Sequence, residues 1–114
     1  APYLDAWRRK VERVGTLNFP TAAQRAELSG SPVIEVAIGA DGRLLEAAVQ
    51  RASGHPELDQ AALQILRLAS PFEPFPEALA RDYGSLRFAY QWEFVGGQVG
   101  GGAVTAGTNG DPPP

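Results

Sequence analysis

The chain has 114 residues, 44% apolar and 20% charged, ordinary globular proportions that exclude wholesale disorder, collagen-like repetition and coiled coil. Its 10 basic and 13 acidic side chains leave a net charge of −3, without the positive surface that duplex nucleic acid requires, so no nucleic-acid partner is expected. Cysteine is absent, which removes disulfides, thiolate metal sites and cysteine nucleophiles, and no stretch approaches the roughly 18 apolar residues of a membrane span.

Ala1-Pro2-Tyr3 does not open a signal peptide. Methionine is missing even at position 1, so a longer protein with any anchor or targeting signal upstream is expected. Leu4, Trp7, Val11 and Val14 recur at spacings of three and four, which predicts an amphipathic helix over Pro2 to Val14 with Gly15 as its C-terminal cap. Arg8, Arg9, Lys10 and Arg13 are four of the ten basic residues, and the helix dipole accounts for their lateness in the helix; a solvated face is favoured over contact with an acidic polymer or lipid. Thr16 to Pro20 is expected to be extended, because proline pushes its predecessor out of the α region, and a short helix over Thr21 to Glu27 follows.

Val33 to Ile38 alternates, with Ile34, Val36 and Ile38 on one face and Glu35 on the other. Gly39-Ala40-Asp41-Gly42 is a tight turn and Leu44 to Ala52 a second strand, which together predict a hairpin; adjacent Leu44 and Leu45 predict a bulge or an early register change in it. Pro56 suits the first position of a helix whose buried face is Leu58, Ala61, Ala62, Ile65, Leu66 and Ala69. Pro71, Pro74 and Pro76 end it, and Phe72 and Phe75 pin the connector to the core. From Leu86 to Phe94 every even position is large and apolar, the clearest strand in the chain. Seven of the 13 glycines and three of the 10 prolines follow Val95, with Asp111 the only charge there. Residues 96–114 are therefore expected to be a disordered tail behind a folding unit of about residues 1–95.

No catalytic set emerges. His55 and Asp59 have the spacing of a helical metal pair but lack a third ligand, so no metal or other cofactor is expected. The carboxylate pairs Glu57 with Asp59 and Glu35 with Glu46 are accounted for by solvation or by the helix dipole. Gly39 and Gly42 precede a strand and not a helix, which argues against a phosphate loop. A small hydrolase is the weakest of the functional classes, and the chain is read as no enzyme. Three strands leave a sheet with two edges, and the edge of the last can accept another chain's backbone, including that of its own copy; a cover from within the protein is the alternative.

Leu17-Asn18-Phe19-Pro20, Asp41-Gly42-Arg43, Ser53-Gly54-His55-Pro56-Glu57-Leu58-Asp59-Gln60-Ala61-Ala62 and Phe72-Glu73-Pro74-Phe75-Pro76, in this order, resemble the C-terminal domain of TonB, the energy transducer of Gram-negative bacteria. Phe19 stands where the family usually has tyrosine. The resemblance implies a two-layer α+β fold: a three-stranded antiparallel sheet with a long helix packed on one face, plus the N-terminal helix. It implies a periplasmic domain of an inner-membrane-anchored protein, acting with ExbB and ExbD through segments absent here. Its partners would be outer-membrane transporters of iron-siderophores or similar cargo, whose TonB box adds as a strand beside the last strand. That names Ser85, Arg87, Ala89, Gln91 and Glu93 as partner-binding positions, with Thr16, Leu17, Asn18, Phe19 and Pro20 as a second contact. A TolA-like envelope adaptor binding another envelope protein or peptidoglycan, as in surface motility, is the rival reading. The state is expected to be a monomer or a strand-paired dimer.

Overall fold

The computed structural model describes residues 2–105 and 109–113. Strands β1 (Val33–Gly39) and β2 (Leu44–Arg51) form the predicted hairpin. Gly39 donates its N–H to the Arg43 carbonyl (2.9 Å), and the Asp41 carboxylate accepts from the Arg43 N–H (3.0 Å), an Asx-type turn that closes the loop. Ala37 pairs with Glu46 and Ile38 with Leu44, so Leu45 is the extra residue of a bulge, as its adjacency to Leu44 predicts. The bulge leaves Leu45 on the surface.

Helix α3 (Pro56–Ala69) starts on Pro56 and buries the predicted face, Leu58, Ala61, Ala62, Ile65, Leu66 and Ala69. Asp59 in its first turn accepts from the Ser53 N–H (2.9 Å), a structural use of one member of the His55/Asp59 pair. The connector is docked on the hairpin turn: Phe72 N–H donates to the Gly42 carbonyl (2.8 Å) and Phe75 N–H to the Ala40 carbonyl (2.9 Å), with both rings buried. A short helix α4 (Glu77–Asp82), which the sequence reading does not include, follows the connector. β3 (Ser85–Val95) then runs antiparallel to β1 and buries Leu86, Phe88, Tyr90, Trp92 and Phe94 against the helices.

Helix α1 covers Pro2–Asn18 and α2 covers Thr21–Arg25. Two expectations are corrected here. Gly15 is not a cap but a buried helical residue: a Cβ on it would lie 3.3 Å from both Ile65 Cδ1 and Trp92 Cη2, so glycine lets α1 approach α3 and β3. The helix therefore continues through Thr16, Leu17 and Asn18, which are not extended; Thr16 Oγ1 donates to the Glu12 carbonyl (2.9 Å) and Asn18 Nδ2 to the Val14 carbonyl (2.8 Å). Pro20, extended at φ −60° and ψ 133°, makes the break.

The third correction concerns the sheet, which has five strands and not three, in the order β2-β1-β3-β4 with β5 also on β3. β4 (Gln98–Val104) pairs antiparallel with Tyr90–Val95, and β5 (Asn109–Asp111) with Ser85–Arg87. The described part of the tail is thus ordered on the sheet; residues 106–108 and 114 of the expected disordered tail lie outside the described residues. The chain reverses at Gly96 and Gly97, whose φ values of +57° and +79° suit the two-residue hairpin turn that matches strand twist. Among the described residues no helix is long and apolar enough to cross a membrane.

Candidate partner-binding edge

Backbone direction along β3 divides its residues cleanly. Trp92 and Phe94 donate their N–H groups to the carbonyls of Pro32 (3.0 Å) and Gly30 (2.9 Å), on the β1 side. Alternation then turns the backbone groups of Ser85, Arg87, Ala89, Gln91 and Glu93 the other way, and the Ala89 carbonyl accepts from Thr105 N–H (3.1 Å) on that side. These five are the partner-binding positions expected on the strand. Their edge is covered by β4 and β5, which corrects the expectation that the last strand carries an open edge.

The side chains of these five lie on the sheet face opposite the helices. Arg87 donates to Glu35 (2.8 Å) and Glu46 (2.6 Å), tying β3 to β1 and β2, and these hydrogen bonds, the Glu46 one first, raise its pKa further above neutrality. That accounts for the Glu35/Glu46 pair without acid–base chemistry. Glu93 accepts from Gln91 (2.9 Å) and Ser31 (3.0 Å), Ser85 Oγ lies 3.1 Å from Asp111 Oδ2, and Ala89 is buried.

The N-terminal half of the expected site meets only one end of this edge. Phe19, 6% exposed, packs on Phe94 with ring centroids 5.2 Å apart. Thr16 and Phe19 line a depression of about 380 Å³ with Gln24, Glu27 and Gly96 to Val99, beside the β3–β4 turn. Leu17 is 78% exposed on the last turn of α1, Asn18 is exposed and Pro20 half-buried. Ser85 lies at the far end of β3, about 30 Å from Phe94 by strand rise, so the structure joins Thr16 and Phe19 to the Phe94 end and not to Ser85 or Arg87.

Sequence reasoning missed the residues that cover the edge: Val99 and Val104, which pack partly against the core, and Gly102, which passes under Tyr90. The Tyr90 hydroxyl is buried without a hydrogen-bond partner among the described residues; burial, then the charge of Glu12, pushes its pKa upward, so the phenol is neutral at physiological pH. Tyr90→Phe removes an unpaired buried hydroxyl while keeping the ring. Its unfolding free energy in urea is expected to stay within about 1 kcal/mol of the parent or to rise.

Among the described residues no group of three or more His, Asp or Glu side chains is placed to hold a metal ion. Neither a curated protein nor a solved structure matches the chain. The family model described as Gram-negative bacterial TonB protein C-terminal matches residues 16–94, from the last turn of α1 to the end of the aromatic strand. Domains of that family are periplasmic and non-catalytic and interact with outer-membrane transporters. The match takes in most of the chain, including the hairpin, α3, the docked connector and β3, and the chain therefore belongs to the TonB C-terminal family.

Proposed function

We propose that this is the receptor-binding domain of a TonB-type energy transducer. It takes the TonB box of an outer-membrane transporter as an added strand beside β3, at Ser85, Arg87, Ala89, Gln91 and Glu93, with Thr16 to Pro20 as a second contact. The pull it passes on derives from the proton-motive force, gathered through ExbB and ExbD by other segments of an inner-membrane-anchored transducer, and serves import of iron-siderophores or similar cargo. The family match carries this reading, and β3 supports it. One face of the strand is locked by five large side chains while its backbone row points toward the edge, so load applied along it is shared by several main-chain hydrogen bonds.

Titrating labelled protein with synthetic TonB-box peptides tests it by NMR. Amide shifts are expected along Ser85–Val95, at Thr16 to Phe19 and in β4; silence with several box sequences at millimolar peptide overturns the reading. The edge occupied by β4 favours a second reading, a TolA-like adaptor that binds another envelope protein or peptidoglycan through side chains. Retention on peptidoglycan together with silence toward box peptides would select it.

A further inference from the structure

The glycine-rich segment is fitted to the edge it covers. Gly102 stands opposite Trp92 and passes beneath Tyr90, where a Cβ would come within 2.7 Å of Cε2 of the ring. Gly110 stands opposite Leu86 and passes Tyr83, where a Cβ would come within 2.6 Å of Cε1. Rings laid over cross-strand glycines shield main-chain hydrogen bonds that glycine cannot cover itself. With the Thr105 N–H on the Ala89 carbonyl between β4 and β5, the outward backbone row of β3 is engaged near both ends and in the middle.

The same composition makes the cover easy to lift. Among the described residues of 98–111 only Val99 and Val104 set a large apolar side chain against the core. Gly100, Gly101, Gly102 and Gly110 regain more backbone freedom on release than any other residue type would. An incoming strand replaces the main-chain bonds one for one and can bury larger side chains. The family match stops at Phe94, so β4 and β5 lie beyond the part of the chain that it shares with the family model.

Resting on the receptor-binding reading above, we propose that β4 and β5 are an intramolecular competitor for the β3 edge: a transporter segment gains the edge only by displacing them. The two-residue turn keeps the competitor at high effective concentration, and the apparent affinity for the partner falls in proportion to the fraction of molecules whose edge is free.

The full chain tests this through a lock. Gln91 and Ala103 are paired across β3 and β4, and cross-strand Cα separations lie within the range a disulfide spans. The chain has no cysteine, so Gln91→Cys with Ala103→Cys makes a single bond. Strand addition uses the main-chain groups of Gln91, which Gln91→Cys keeps, and the reduced double variant serves as its own reference: the oxidised form is expected to bind box peptide at least about tenfold more weakly than the reduced form, as the free-edge fraction falls. Gly102→Val, which cannot pass under Tyr90, should tighten binding relative to the parent. Equal affinity of the oxidised and reduced forms overturns the competitor, because the peptide then binds without lifting β4. If no peptide binds even the parent, the receptor-binding reading fails and the competitor with it, and hydrogen exchange then decides only whether the cover lifts from β3. Amides of Gln98–Val104 exchanging at least about tenfold faster than those of Ile34 to Ile38 show a segment that lifts separately from the core; equal rates overturn it.

Discussion

Trp92→Ala is expected to lower the unfolding free energy by about 3–5 kcal/mol, a large part of the roughly 5–15 kcal/mol available to a domain of this kind. Trp92 is 0% exposed. Its ring stacks on Phe94 at 5.3 Å, meets the edge of Tyr90 at 5.2 Å and lies against Gly15 of α1. Three elements thus close on one side chain, and no neighbour can fill the void without moving the α1 contact. Trp92→Phe separates packing from hydrogen bonding. The indole N–H has no partner among the described residues, so Phe keeps most of the contact and gives up nothing polar; its expected cost is below about 1.5 kcal/mol. Urea unfolding followed by circular dichroism measures both, and a Trp92→Ala variant with an unchanged midpoint would refute the central position assigned to this ring.

Gly42→Ala is expected to cost about 2–4 kcal/mol, combining a strained backbone with a weakened hydrogen bond. Gly42 has φ +88°, and a Cβ on it would overlap the Phe72 carbonyl oxygen. The same residue accepts the Phe72 N–H at 2.8 Å, so the substitution pushes the connector off the hairpin turn and loosens the buried Phe72 ring. Gly54→Ala is the control. Its φ of +94° carries the same backbone penalty, but nothing lies within 4 Å of the added methyl, so a smaller loss of about 1–2 kcal/mol is expected. Melting temperatures of the two variants, compared with the parent, isolate the clash at Phe72; equal losses would show that the connector is not held there.

What was legible in the sequence is whatever large side chains announce by their spacing. The even positions of β3 and the stripe of α3 follow from burial on one face, and the bulge at Leu45 from two adjacent leucines that cannot both face inward. The backbone direction of Ser85, Arg87, Ala89, Gln91 and Glu93 follows from the same alternation. The tail was misread because its pairing is carried by main-chain groups and by rings belonging to other segments, Tyr90 and Tyr83, so its own composition reads as that of an unfolded chain. Gly96-Gly97 between Val95 and Gln98 was the available signal of a hairpin. Gly15 was misread because a helical glycine needed for close approach and a terminal one look alike until the facing Trp92 and Ile65 are placed.

The ring cluster has a spectroscopic consequence. Both tryptophans of the chain flank Tyr90, Trp7 at 5.0 Å and Trp92 at 5.2 Å between centroids, each edge-on. Tyr90 is close enough to both indoles to pass its excitation to them, and both indoles are buried, so a blue-shifted tryptophan emission is expected. Gly102 is the lid over the Tyr90 hydroxyl, so departure of the glycine strand admits water beside both fluorophores and moves the emission to the red. The protein thereby carries its own label-free optical readout, at the position where the glycine strand meets β3.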